Sequence, residues 1–147
     1  MADKETVFQA GTPVTLSWEV QDATSLTLDP GNIDMMSFTT DGIGSYLVTP
    51  NMTTTYTLTG NGPVTDTLTV NVPLSITELF VNELFQVEVT ASGLVEGTDY
   101  RLYRSPDLLI DFFAVGPIIT GDASGTATFT DPTIDLEADD KSFYRIK

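Results

Sequence analysis

The sequence predicts an all-β protein made of two tandem β-sandwiches, and three observations support this class. Residues 11–20, GTPVTLSWEV, alternate apolar and polar side chains with a period of two, which is typical of a half-buried strand. Residues 53–59, TTTYTLT, repeat this style. The chain contains 24 threonines, whose β-branched side chains favour strands, and no long amphipathic helical pattern.

The first half reads as short strands separated by turns. The clearest turn is DPGN at residues 29–32, because proline fixes φ and glycine adopts a positive φ. Turns roughly every 8–12 residues with alternating strands between them predict a sandwich. The predicted strands are 14–20, 23–28, 33–39, 45–49, 54–59 and 65–72.

Pro73 is the predicted domain boundary, because a complete strand precedes it and the threonine density falls after it. We therefore expect one domain at 1–73 and a second at 74–147. Phe85, Val87 and Val89 are expected to point inward, with turns at 116–117 and 121–125 and a short helical turn at 105–107. The predicted strands are 85–91, 100–104, 112–115, 126–130 and 143–146.

The charge of the chain limits its partners. Six basic residues against 21 acidic ones give a net charge of -15. We expect no nucleic-acid partner, because phosphate binding needs clustered Lys and Arg, and an anionic membrane is disfavoured for the same reason. The acidity favours solubility, and it is compatible with cation binding or with a simple solvated surface.

The chain lacks His and Cys altogether. A Ser-His-Asp triad, a thiol nucleophile and a disulfide framework are therefore excluded. Paired carboxylates could in principle perform glycoside chemistry, but nothing in their placement sets two of them across a cleft. We expect no enzyme.

Membrane insertion is not expected either. No apolar run approaches the roughly 20 residues that a spanning helix needs. The first residues, MADKE, lack the apolar core of a signal peptide. If the protein works outside the cell, we expect the chain to be a fragment of a larger secreted protein.

Residues 11–72 resemble the immunoglobulin-like and PKD-like modules of bacterial surface proteins. The resemblance rests on GTPVTLSWEVQDATSLTLDPG, VTPNMTTTYTLTGNG and DTLTVNV. It implies that Trp18 is a core residue between two sheets. It also implies that Tyr56 is a buried tyrosine whose hydroxyl bonds to backbone at a corner.

The second half is similar to fibronectin-like C-terminal modules of bacterial secreted proteins. The similarity rests on GLVEGTDYRLYRSPDL and on the final FTDPTIDLEADDKSFYRIK. The sequence departs from that pattern at residues 109–113, where a Trp would be more usual. The resemblance is specific for a module and does not identify a ligand.

An acidic cluster before the last strand is the candidate metal site. Hard cations prefer carboxylate and carbonyl oxygens, so this loop could bind calcium, although the spacing is not that of an EF-hand. The alternative is that the loop is simply solvated. Asp29, Asn32 and Asp34 form a weaker candidate metal site, and the alternative there is that these side chains stabilise a turn. The cluster consists of Asp131, Asp135, Glu137, Asp139 and Asp140.

Aromatic residues of the second half are the candidate ligand-binding residues, because exposed rings can stack on sugars. These are Tyr103, Phe112 and Phe113, and the alternative for the phenylalanine pair is packing between domains. The nearby arginines could pair with the acidic loop or clamp a carboxylate. They are Arg101, Arg104 and Arg145.

The favoured function is non-catalytic: spacing, adhesion or protein interaction within a larger secreted or cell-surface bacterial protein. One alternative is an accessory carbohydrate-binding module of a secreted hydrolase. A second is a structural subunit of a phage or surface assembly that forms by strand pairing. The expected partner is a protein or polysaccharide surface. No cofactor is expected, and calcium is the one candidate ion.

Overall fold

The computed structural model describes residues 1–61, 65–107, 111–135 and 141–147. It divides the chain into two compact units, Met1–Pro73 (unit 1) and Leu74–Lys147 (unit 2). The predicted all-β class is confirmed, since the described residues form strands, turns and one short 3-10 helix, Met36–Phe38.

Unit 1 is a sandwich of two antiparallel sheets. Its strands are β1 (Val14–Glu19), β2 (Leu26–Asp29), β3 (Ile33–Asp34), β4 (Thr39–Thr40), β5 (Ile43–Val48), β6 (Thr54–Gly60) and β7 (Thr65–Val70). The sheets have the orders β1-β5-β4 and β3-β2-β6-β7. The N-terminal segment touches both sheets, because Ala2 bridges to Leu16 and Thr6 bridges in parallel to Asn71.

The core of unit 1 follows from the period of two. Val14 and Leu16 on β1 and Leu26 and Leu28 on β2 point inward and are buried, whereas their neighbours in sequence are more exposed. Full burial of one such side chain is worth about 1.5–3 kcal/mol. The other buried members are Val7, Met35, Val48, Tyr56, Val70 and Val72.

Unit 2 is also a sandwich of two antiparallel sheets, ordered β12-β9-β8 and β11-β10-β13. Its core contains seven buried hydrophobic residues: Val87, Val89, Ala91, Leu94, Leu102, Val115 and Phe129. The strands are β8 (Ser75–Val81), β9 (Val87–Ser92), β10 (Asp99–Ser105), β11 (Phe113–Thr120), β12 (Thr126–Asp131) and β13 (Phe143–Ile146).

Several predicted elements need correction. The predicted strand 33–39 is broken by the 3-10 helix, where the Asp34 side chain accepts a hydrogen bond from the Met36 amide (2.9 Å). The predicted turn 116–117 lies inside β11, at a register shift against β10. Ser105 ends β10 and is followed by a bend, not a helical turn. Strand β8 was not predicted at all.

Phe85 was predicted to point inward, and this is wrong. It lies at the tip of the β8–β9 hairpin and is 74% exposed. The loop is held by Asn82, whose side-chain oxygen accepts hydrogen bonds from the amides of Leu84 and Gln86 (both 3.0 Å). Because these bonds stabilise a turn at residues 82–86, the strand begins at Val87 and not at Phe85.

Candidate functional site

Unit 2 has two surfaces that could contact a partner and one buried cluster of polar residues. The first surface is the apolar edge, which we define as residues 74–85: strand β8 and the hairpin tip. It contains seven of the exposed large hydrophobic residues among the described part of the chain. They are Leu74, Ile76, Leu79, Phe80, Val81, Leu84 and Phe85.

The apolar edge is open because β8 is the last strand of its sheet. It pairs with β9 alone, so one side of its backbone has no partner strand among the described residues. Leu79 and Val81 pair with the buried Val89 and Val87, yet both remain about half exposed. An edge strand of this composition is what natural proteins usually protect with charge, proline or a covering element.

The hairpin tip combines exposure with backbone strain. Phe85 has φ of 59°, a left-handed conformation that is unusual for a bulky residue. Such a conformation costs of the order of 1–3 kcal/mol and occurs most often at functional positions. Its ring and the Leu84 side chain are each 74% exposed, so the strained turn presents two large apolar groups to solvent.

The second surface is the cationic face, which we define by Arg101, Tyr103, Phe112, Arg145 and Lys147. Tyr103 on β10 lies opposite Arg145 on β13. The guanidinium of Arg145 lies 4.2 Å from the centre of the Phe112 ring and 5.7 Å from that of Tyr103. Both distances fall in the range of a cation–π interaction.

The structure thus brings together two of the three predicted ligand-binding residues, but not as an open stacking platform. Arg145 occupies one side of the Tyr103 and Phe112 rings. Phe113 lies apart from them at the edge of the sheet, where Arg104 stands 5.3 Å from its ring centre. A sugar would have to use the remaining sides of these rings.

A buried ion pair connects the two sheets of unit 2. Asp131 is fully buried and its Oδ2 lies 3.1 Å from Nη1 of Arg104. The Tyr144 hydroxyl donates to the same oxygen (3.1 Å), and the amide and hydroxyl of Thr133 donate to Oδ1 (2.9 and 2.7 Å). Burial and the adjacent Asp131 carboxylate raise the pKa of Tyr144 to about 12.

This placement corrects the expectation for Asp131. The sequence put it in a calcium-binding or solvated loop, whereas the structure puts it at the end of β12 with both oxygens bonded inside the unit. Asp135 is exposed, and Glu137, Asp139 and Asp140 lie outside the described residues. No group of three acidic residues that could hold a metal ion occurs in the described ranges.

The weaker metal candidate is a turn. The Asp29 side chain accepts a hydrogen bond from the Asn32 amide (3.1 Å), and that of Asp34 bonds to the Met36 amide. These are bonds that carboxylates commonly make in turns and at the start of helical turns.

Trp18 and Tyr56 both contribute to unit 1, in different ways. Trp18 is half-buried, donates its indole N–H to the Thr39 hydroxyl (3.0 Å) and packs against Gly44, where an added Cβ would lie 2.5 Å from the ring. Tyr56 is buried, and burial raises the pKa of its hydroxyl. That hydroxyl makes no hydrogen bond in the described structure, contrary to the expected corner bond. The comparable bond occurs in unit 2, where the Val95 amide donates to the Tyr100 hydroxyl (3.0 Å).

Unit 1 also has a cleft of about 640 Å³ between its sheets. Its volume lies within the range of ligand pockets. Its walls are mostly apolar, but the described residues aim no buried, unpaired polar group into it. The lining includes Met1, Trp18, Glu19, Leu26, Ile43, Leu58 and Asp66.

Comparisons with known proteins do not identify a ligand or a partner for these surfaces. The chain matches no protein-family profile and no curated protein. Among solved structures it is similar to the human OSCAR ligand-binding domain, with 19% identity, a TM-score of 0.35, and coverage of 99% of this chain and 85% of that one. A similarity of this size carries no inference about ligand or partner. The resemblances to bacterial surface modules therefore stay predictions.

No helix long and apolar enough to cross a membrane is found in the described ranges.

Proposed function

We propose that the chain is a non-catalytic protein-interaction module of a larger secreted or cell-surface bacterial protein, and that the apolar edge is its main contact. The single observation that carries this proposal is the concentration of exposed hydrophobic residues on one open edge strand and its hairpin tip. Apolar surface grouped in this way is characteristic of protein contacts.

The mode of contact follows from the backbone. An extended segment of a partner can pair with the open side of β8, so that main-chain hydrogen bonds supply affinity. Side chains such as Leu79, Phe80 and Phe85 then supply apolar contact area, worth about 25 cal/mol per Å² removed from water. Strand addition of this kind requires a protein partner and not a polysaccharide.

The carbohydrate-binding alternative has weaker support. Its candidate rings, Tyr103 and Phe112, each have the Arg145 guanidinium against one side. The strand-pairing assembly has better support, because the apolar edge could pair with a second copy. The net charge of -15 opposes that, since two copies repel each other at low ionic strength.

The test is a selection of short random peptides on the full chain, followed by measurement of their affinity for two matched variants. Leu79→Lys puts a charge on the apolar edge, and Leu47→Lys puts one on a strand of unit 1 with similar exposure (52% and 57%). We expect enriched peptides with alternating apolar residues that lose at least about tenfold in affinity with Leu79→Lys and nothing with Leu47→Lys.

Three results would contradict the proposal. One is a selection without enriched peptides, and a second is equal binding by both variants. The third is a specific hit on a polysaccharide panel, which would favour the carbohydrate-binding module. Light scattering of the unliganded chain tests the assembly alternative. Oligomers that form in the unchanged chain and are absent in Leu79→Lys would show assembly by strand pairing.

A further inference from the structure

The cationic face is unusual for so acidic a chain. Five of the six basic residues lie in unit 2, and three of them, Arg101, Arg145 and Lys147, share one face of the β10–β13 pair. The pairing of the two strands places these side chains on the same face. Arg145 lies opposite Tyr103, and Arg101 and Lys147 exchange backbone hydrogen bonds of 2.8 and 3.2 Å. Side chains two residues apart on a strand point to the same face.

Within the ranges that the structure describes, these three cations form no ion pair with a carboxylate. Arg104, the fourth arginine or lysine on these strands, differs from them, because it forms a buried ion pair with Asp131. Arg101 donates its Nε–H to the backbone carbonyl of Gly116 (3.1 Å). Asp99 is an acidic residue on the same face of β10, and it accepts a hydrogen bond from Thr120 (2.6 Å) instead.

Arg145 is the centre of the cationic face. The Phe112 and Tyr103 rings hold its guanidinium in place, and its Nε is buried without a hydrogen-bond partner in the described structure. A partly desolvated cation interacts more strongly with an incoming anion than a fully hydrated one does. The rings also reduce the rotamer entropy that Arg145 would lose on binding.

Strand β13 is an open edge. It is the last strand of the sheet β11-β10-β13, and it pairs with β10 alone among the described residues. Its free side therefore offers backbone N–H and C=O groups to an added strand. Arg145 lies on this strand, and Lys147, the residue directly after its end, continues the backbone pairing with Arg101 two positions further along.

We infer that the cationic face binds an extended acidic segment of a protein partner, added as a strand along the open edge of β13. Acidic residues at alternate positions of that segment lie beside Arg145 and Lys147, and its backbone pairs with β13. This inference rests on the proposed function, because it too makes the chain a protein-interaction module, but it uses a different sheet and a different chemistry from the apolar edge.

The experiment uses the full chain and a short end-blocked peptide of alternating threonine and glutamate, with the matching threonine–glutamine peptide as its neutral control. Binding is measured by calorimetry at low and high salt for the unchanged chain and for Arg145→Gln. Lys4→Gln is the matched variant, because it removes the one basic residue of unit 1. Lys147→Gln is a second variant at an exposed position, and melting curves check that each variant folds.

We expect the acidic peptide to bind and the neutral peptide to bind at least about tenfold more weakly. Binding should weaken by at least about tenfold in Arg145→Gln, fall measurably in Lys147→Gln, weaken with salt and stay unchanged in Lys4→Gln. Equal binding of both peptides, or equal loss in Lys4→Gln, would overturn the inference. So would binding of polygalacturonate in place of the acidic peptide.

The same peptide is measured on Leu79→Lys, which leaves β13 intact. Retained binding there, with loss of the peptides selected on the apolar edge, separates the two surfaces. If the acidic peptide fails and the apolar-edge peptides bind, only the inference about the cationic face falls.

Discussion

Unit 1 and unit 2 share a sandwich architecture but differ in what they bury. Among the described residues, unit 1 buries ten hydrophobic side chains and no charged one. Unit 2 buries seven hydrophobic side chains together with Arg104 and Asp131. The difference shows that two sandwiches of nearly equal length can have different interiors, an apolar core in one and a smaller apolar core with a buried polar network in the other.

The surfaces of the two units also differ, and here unit 2 has more exposed large hydrophobic residues than unit 1. Unit 2 has ten of the 15 exposed large hydrophobic residues of the described chain, and unit 1 has five. Unit 2 also has five of the six basic residues. Apolar area left outside the core is a feature of recognition, and so are cations that form no ion pair within the described ranges. As part of the proposed function, we therefore propose that unit 2 contacts partners and that unit 1 acts as a spacer.

The largest expected effect on the difference between the units comes from removing the buried Asp131 carboxylate. Asp131→Ala removes the buried carboxylate that pairs with Arg104, and we expect it to lower the free energy of unfolding of unit 2 by about 3–5 kcal/mol. Hydrogen exchange on β9 and β12 measures this effect. Trp18 is the only Trp and belongs to unit 1, so its fluorescence transition should not move.

The reciprocal change is Leu28→Ala. It opens a cavity in the apolar core of unit 1 and should lower the free energy of unfolding measured by Trp18 fluorescence by about 2–5 kcal/mol. Hydrogen exchange of unit 2 should stay constant. If either substitution moved both transitions, the units would not be energetically independent and the comparison would fail.

Alkaline pH provides a sharper probe of the polar network. The pKa of Tyr144 is raised from 10.0 to about 12 in the folded state, so the folded protein holds this proton more tightly than the unfolded chain. Its contribution is present below pH 10.0 and is lost as the pH rises towards about 12. We expect the stability of unit 2 to fall in this window.

The control is Tyr144→Phe, which removes the titrating hydroxyl and one hydrogen bond to Asp131. At neutral pH it should cost about 0.5–1.5 kcal/mol, and it should flatten the alkaline loss measured by hydrogen exchange of unit 2. An unchanged alkaline slope in Tyr144→Phe would assign that loss to another group.

The smallest expected effect concerns the hairpin tip. Phe85→Gly removes a bulky side chain from a left-handed backbone position, and we expect the free energy of unfolding of unit 2 to rise by about 1 kcal/mol or less. Leu84→Gly is the matched control, since Leu84 is equally exposed but does not have a positive φ, so this change should destabilise slightly. Denaturant unfolding of the two variants compares them, and a loss of stability in Phe85→Gly would show that the tip is not strained.

Local patterns predicted most of the strands. The strands Val14–Glu19 and Phe143–Ile146 could be predicted from the sequence, because the period of two depends only on which side chains avoid water. Strand β8 was not predicted, because its apolar run lacks a clean alternation. Phe85 was misplaced because the turn that moves it outward depends on three hydrogen bonds to Asn82.

The candidate site was less predictable than the fold. The sequence singled out Tyr103, Phe112, Arg145 and Asp131 by residue type, and each has a distinct environment in the structure. It could not show that Arg145 packs on the two rings while Asp131 pairs with Arg104. Those contacts join residues far apart along the chain, so no local pattern encodes them.

The sequence by itself determined the all-β class, the net charge of -15 and the exclusion of catalysis by His or Cys, because these follow from composition and local periodicity. Only the tertiary structure decided which strands end their sheets and which carboxylate is buried. It also decided which cation of the described residues pairs with that carboxylate. These properties depend on how distant strands pair and pack, and that is where the proposed contacts of unit 2 arise.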